Sequence, residues 1–237
     1  MSSFRGFVLA LLCGAVAYGC GIRPRSFNGV TVSGSVKDAL YRTPVPNTEV
    51  CIIEPDLGCT HTNPLGEFDF IDVPPRSRLL VRFLRGGYYP NVAHYSVGDG
   101  DEFLTYLLTS EQLSDLAAEL AHVRRDDAMS IIVFSARTGR GPDAENVEDV
   151  AVSLEPAQGD GPFYAVQNGF DDSRTATTSV GGGVIFNVPP GTATVRYTHA
   201  DRRCAPYYGW EGPDAGTLTV RLLEGYSTYI SQVCTPP

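Results

Sequence analysis

Thr62-Asn63-Pro64-Leu65-Gly66-Glu67-Phe68-Asp69-Phe70, running into Asp72-Val73-Pro74-Pro75, is met again 116 residues later as Thr178-Ser179-Val180-Gly181-Gly182-Gly183-Val184-Ile185-Phe186, running into Asn187-Val188-Pro189-Pro190. In each copy a Gly-bearing turn opens into period-two alternation, Phe68/Phe70 in one and Val184/Phe186 in the other. That period places the apolar side chains on one face of a strand. The prolines then stop it, because proline has no N–H to give to a sheet ladder. A second echo lies upstream of each and in the same order, residues 45–52 against residues 147–154. Two echoes in one order mean one β-rich unit built twice.

Further strands follow outward from these segments. Val30, Val32 and Val36 alternate around Gly34, and residues 49–53, 59–62, 79–83 and 103–108 continue the first unit, with 54–58 as a loop. The second unit begins at 130–134 and closes with 218–222 and 229–231, while 139–145 and 159–162 are Gly- and Asp-rich connections. Many short strands separated by turn signals predict a β-sandwich in each unit. One segment is helical. Thr109 and Gln112 stand at capping-box spacing with Leu108 and Leu113 in the staple positions, and Leu113, Leu116, Ala117 and Leu120 share one face. Glu111 and Asp115 come early and Arg124-Arg125 late, as the helix dipole favours. Such a stripe predicts a helix seated on the second sandwich or on the junction. The expected organisation is a signal peptide over 1–19, a tether over 20–29, a sandwich over 30–108, a helical linker over 109–128 and a second sandwich over 129–237.

The leader has Arg5 followed by an apolar run over 7–17 that is too short to span a bilayer. Two processing routes fit it. Ala15-Val16-Ala17 is an A-x-A site that would free a soluble chain from Tyr18, whereas Ala17-Tyr18-Gly19-Cys20 resembles a bacterial lipobox. Cysteine parity favours the second: with Cys13 removed and Cys20 carrying lipid, the remaining four pair evenly. The expectation is an exported, membrane-anchored envelope lipoprotein of the outer membrane, with a soluble periplasmic or secreted form as the alternative. From Cys20 onward 17 Arg and Lys stand against 27 Asp and Glu, which disfavours nucleic acid and anionic membrane surfaces as partners.

Val32-Ser33-Gly34-Ser35-Val36-Lys37-Asp38, Pro44 to Val50, Thr62 to Phe70, Val73-Pro74-Pro75 and Gly87-Tyr88 together resemble the carboxypeptidase regulatory-like domain. The resemblance covers 30–97 and recurs more weakly over 130–200, around Asn187-Val188-Pro189-Pro190-Gly191, in the manner of a secreted bacterial lipoprotein. It implies a transthyretin-like Greek-key sandwich in tandem and no activity of its own. Pilin-type CnaB domains are similar and cross-link a strand lysine to an asparagine. Their lysine position is Val36 here, and Lys37 would point from the opposite strand face. The urate-pathway hydrolases of similar fold end in a Tyr-Arg-Gly-Ser tail, and this chain ends Cys234-Thr235-Pro236-Pro237.

No catalytic constellation or metal pattern emerges. None of His61, His94, His122 and His199 has His or Glu three or four residues on, and there is no nucleophile elbow, phosphate loop or Cys-x-x-Cys. Scattered histidines of this kind read as surface or loop residues. Asp99-Gly100-Asp101-Glu102 offers carboxylates for Ca²⁺, but its spacing fits a turn better. Cys51 and Cys59 flank a seven-residue loop, and Cys204 and Cys234 bracket the last 30 residues, so domain membership favours these two disulfides among three pairings. Tyr207-Tyr208-Gly209-Trp210, with Phe163-Tyr164 as neighbours, is the candidate ligand-binding loop, since such rings suit glycans. The reading is a non-enzymatic envelope protein with a structural, adhesion or partner-presenting role and no cofactor. The alternative is a glycan- or peptide-binding module using that loop.

Overall fold

The computed structural model describes residues 29–140 and 143–237; the leader and Cys20 lie outside them. The first repeat holds β1 (Val30–Asp38), β2 (Glu49–Glu54), β3 (Asp56–His61), β4 (Glu67–Val73), β5 (Arg78–Leu84), β6 (Asn91–Ser96) and β7 (Glu102–Leu108). Helix α1 (Glu111–Leu120) follows. The second repeat holds β8 (Ser130–Arg137), β9 (Ala151–Glu155), β10 (Asp160–Val166), β11 (Gly169–Asp171), β12 (Gly182–Val188), β13 (Gly191–Thr198), β14 (Arg203–Tyr208), β15 (Trp210–Glu211), β16 (Thr217–Leu222) and β17 (Ser227–Thr235). The protein is mostly β, in sandwiches, with one short helix.

The repeat read from the sequence is also a repeat of topology. β1 lies between antiparallel β4 and parallel β7, and β8 lies likewise between β12 and β17. Opposite them, β5 pairs β2 and β6, as β13 pairs β9 and β16. Equivalent work is done in both copies, but one residue off the echo at this turn: Thr177, not Thr178, is the counterpart of Thr62, and Gly181 that of Gly66. Thr62 Oγ1 accepts from the Thr48 N–H and donates to the Val45 carbonyl, and Thr177 Oγ1 does the same for Val150 and Val147. Asn47 and Asp149, Gly66 and Gly181, and Asp72 and Asn187 are left-handed pairs at matching places. Only Gly, and Asn or Asp among side-chain-bearing residues, adopts that backbone region readily. Each repeat encloses its own apolar core, around Phe83 and Leu79 in the first and Phe134 and Ile185 in the second.

The copies differ in one hairpin. In the first repeat β3 stays beside β2, separated only by Pro55, so the expected 54–58 loop is instead strand and turn. In the second repeat the chain expected to be a loop over 159–162 enters β10, which crosses to pair β12 rather than β9. Cys51–Cys59 ties directly opposed residues of β2 and β3, and Cys204–Cys234 ties directly opposed residues of β14 and β17. Closing these loops stabilises the fold by about 2.5 and 3.7 kcal/mol on chain-entropy grounds.

The repeats are joined through the sheets themselves. The first two residues of β17 pair in parallel with Asn91 and Val92 of β6 before β17 passes to β14. One sheet therefore runs from β11 to β3 through both sandwiches. It joins unlike layers, since β6 belongs to the β2–β5 side of its sandwich and β17 to the β8–β12 side of the other.

Helix α1 sits where the leucine stripe places it, against the second repeat and the junction, but on a different face and with a different cap. Ser110, not Thr109, is the N-cap; its hydroxyl accepts from the Leu113 N–H. Ser114 and Ala118 are the helix's buried residues, followed by Ala121, and the two alanines pack with Tyr89, Ile131, Val184 and Phe186. Leu116 and Leu120 are 48% and 41% exposed. Small side chains let the helix approach large aromatics, which is why the alanine face rather than the leucine face turns inward. The helix also stops before Arg125, which folds back on Asp115 at 2.8 Å and over the Tyr89 ring at 4.8 Å. Leu116→Asp should therefore change stability by no more than about 0.5 kcal/mol, as surface substitutions do. Ala118→Leu should cost roughly 1–3 kcal/mol by overpacking. Urea denaturation of the two variants checks both; a larger loss from Leu116→Asp would contradict the observed seating.

Candidate functional site

The Tyr207–Trp210 segment lies against the first repeat, and its polar edges are committed there. It is not a loop but the end of β14 and the start of β15, with the turn at Gly209, whose φ of 122° is a conformation that favours glycine and whose added Cβ would stand 2.9 Å from Leu218. The turn brings the Gly209 N–H to the His94 carbonyl at 3.0 Å. Tyr208 is buried, and its hydroxyl donates to the Thr105 carbonyl at 2.9 Å. The Trp210 Nε1–H reaches the carbonyls of Leu79 at 3.2 Å and Tyr95 at 3.3 Å. Its ring meets His94 edge to face at 4.8 Å between centroids. Tyr207 remains at the rim, half-buried, with its hydroxyl donating to the Arg140 carbonyl and the Arg140 guanidinium 5.5 Å from its ring. Phe163 and Tyr164 are not neighbours of this segment. Phe163 packs with Phe170 and Phe186 beside the helix, and Tyr164 is a core residue bonded to Val152.

His94 is the residue at the centre of this joint, and it is wholly buried rather than on the surface. Its Nε2 lies 2.7 Å from the Arg221 N–H, and its Nδ1 has no partner. Burial disfavours the imidazolium and holds the ring's pKa down at about 4. Arg221 closes the far side through its guanidinium, 3.1 Å from Glu54 of the first repeat. Polar and aromatic groups of β14, β15 and β16 thus hold the first repeat at Leu79 of β5, His94 and Tyr95 of β6, Thr105 of β7 and Glu54 of β2.

The other sequence candidates resolve into structural parts. Asp99 is paired bidentately with Arg76, Asp101 accepts from the Thr31 N–H, and Glu102 accepts from the Tyr95 hydroxyl and the Gly98 N–H. Each carboxylate serves a different partner, as a turn requires. Among the described residues one grouping has metal-ligand proximity, Glu49 with Cys51 and Cys59, and both its sulfurs belong to a disulfide. Lys37 lies on the half-buried face of β1, between the buried Val36 and Asp38, and Asp38 already accepts from the Leu40 and Tyr41 N–H groups and the Tyr88 hydroxyl. Two concavities accompany the sandwiches. An open polar one of about 480 Å³ lies between Glu148, His199, Arg202 and Pro236. An apolar one of about 310 Å³ lies beneath α1.

No protein family matches the chain, and no curated protein does. Solved structures align over most of its length. The TIE protein of Bacillus anthracis is 12% identical with a TM-score of 0.29, over 87% of this chain and 34% of its own. A candidate carbohydrate-binding protein of Bacteroides uniformis is 13% identical with a TM-score of 0.29, over 82% and 97%. The minor pilin of Streptococcus agalactiae is 10% identical with a TM-score of 0.28, over 88% and 98%. At these scores the likenesses carry no conclusion about role.

Proposed function

We propose that the chain is a non-enzymatic cell-envelope lipoprotein, held to a membrane through acylated Cys20, whose tandem carboxypeptidase regulatory-like domains over 30–108 and 129–237 form a stiff support for adhesion or for presenting a partner. The observation that supports this reading is the joint. The one tryptophan of the chain, a buried tyrosine and a buried histidine serve to fasten one repeat to the other. A protein built around a ligand platform would leave the polar edges of such groups free; here the Trp210 N–H, the Tyr208 hydroxyl and the His94 Nε2 are all engaged across the joint. Intact mass spectrometry of the native protein tests the anchor and Cys20→Ala tests its effect. Lipid at Cys20, and release of the variant from membranes, are expected. A mature chain starting at Tyr18 without lipid, or turnover in a broad hydrolase screen, would overturn the proposal. The second reading, a glycan or peptide platform, rests on Tyr207, whose ring stays half-exposed at the rim. Soluble cell-wall fragments that bind the native chain but not Tyr207→Ala would favour it.

A further inference from the structure

The apolar cavity beneath α1 lies beside the joint, sharing Ser227 and Tyr229 with it, and is a concavity distinct from the aromatic contact at Trp210. Its volume of about 310 Å³ lies between the helix and the face of β8, β12 and β17 turned away from the second core. Tyr89, Leu113, Ala117, Val133 and Phe170 supply most of its character, and no Lys, Arg, Asp, Glu or His lines it. Arg125 stands at the wall, donating to Ser114 Oγ at 3.2 Å and lying over the Tyr89 ring, but its charge is already paired with Asp115 at 2.8 Å and Asp127 at 3.3 Å. An ionised ligand would therefore lose its hydration without gaining a counter-charge, so the lining selects a neutral one. Two wall residues provide a polar end. Ser135 Oγ donates to Ser231 Oγ at 2.9 Å and lies 2.7 Å from the Tyr229 hydroxyl. With the serine proton so engaged, Tyr229 donates to Ser135, and its own oxygen keeps lone pairs that can accept a ligand's O–H.

We infer that this cavity binds a small neutral amphiphile, one aliphatic chain of roughly eight to ten carbons ending in a hydroxyl, which matches its space for about ten water-sized groups. A preformed, mostly apolar cleft with one placed polar group is the usual form of a small-molecule site. Being concave and roofed by a helix, it admits a chain rather than the flat face of another protein. The inference is independent of the envelope role.

Calorimetric titration of the full chain with 1-decanol and with decanoate tests it. Saturable one-to-one binding of decanol is expected, with decanoate at least about tenfold weaker because its charge is unpaired. Tyr229→Phe should weaken decanol by roughly 5–10-fold, the worth of one hydrogen bond. Ala117→Leu fills the cavity from the helix and should abolish binding while the melting curve shows the protein folded. If that variant does not fold, Ala165→Leu fills it from the opposite wall. Absence of saturable binding, equal binding of decanoate, undiminished binding by a folded cavity-filling variant, or a dimer in sedimentation that buries the cavity would each overturn the inference.

Discussion

Trp210→Ala should be among the most damaging single changes in the protein, lowering stability by about 3–5 kcal/mol. The ring fills the contact with His94, and its N–H satisfies the carbonyls of Leu79 and Tyr95 in the other repeat. Removing it leaves a hole in the joint and two carbonyls without that donor. For a chain of this size the loss corresponds to a fall in melting midpoint of roughly 6–20 °C. Calorimetry should further resolve the wild-type transition into two, one for each repeat, because each has its own core. Trp210→Phe keeps most of the packing and should lose roughly 1–3 kcal/mol from the missing donor alone. An unchanged single transition in Trp210→Ala would mean that the segment merely lies on the first repeat.

Acid should weaken the protein through His94 over a definable window. The folded ring titrates at about 4, and an unfolded one at about 6.5. Above pH 6.5 the ring is neutral in both states and contributes no pH dependence. Between 6.5 and 4 the unfolded chain binds a proton that the folded one refuses, so stability falls as pH falls, by about 1.4 kcal/mol per unit. The whole window amounts to roughly 3 kcal/mol, and below pH 4 this residue adds nothing further. Urea denaturation of wild type and His94→Gln at several pH values isolates the effect, since carboxylates contribute to both. The two curves should run parallel above pH 6.5 and diverge below it. Parallel curves throughout would show that His94 does not set the acid response.

The parts of this architecture legible in the sequence were those where one face of a strand is wet. Phe68 and Phe70 alternate with exposed residues because β4 has a core side and a wet side, whereas β12 is buried on both faces: Val184 and Phe186 lie beneath α1 and Ile185 turns into the second core, so the alternation read there marks the helix side. Strand β6 has no such asymmetry. Asn91, Val92, Ala93 and His94 are all buried, one side by the first core and the other by the second repeat, so no period appears and polar residues occur where apolar ones are expected. For this reason pattern reading passes over the strand that carries the joint, and it also passes over β10, β11 and β14. The aromatic loop misled for a related cause. Tyr and Trp suit a sugar platform and an internal seam equally, because both need a flat apolar body with a polar edge. The cysteine pairs needed no such context, as each bridges neighbouring strands of one repeat. Helix α1 was legible in place but neither in length, ending at Leu120 short of Arg124-Arg125, nor in phase, since leucines mark its most apolar line and alanines its closest approach.

In both repeats the first strand lies parallel to the last: β1 pairs β7 from Val32–Glu102 to Asp38–Leu108, and β8 pairs β17 from Ile131–Ser227 to Arg137–Val233. A pull between the ends of either repeat drags these neighbours in opposite directions along their length. The evenly spaced hydrogen bonds of a parallel pair then bear the tension together, in shear, rather than opening one at a time like a zip. Cys234, bonded to Cys204, spreads the load at the C-terminal end from β17 into β14. A chain tethered at one end and tugged at the other would thus resist as two shear clamps in series.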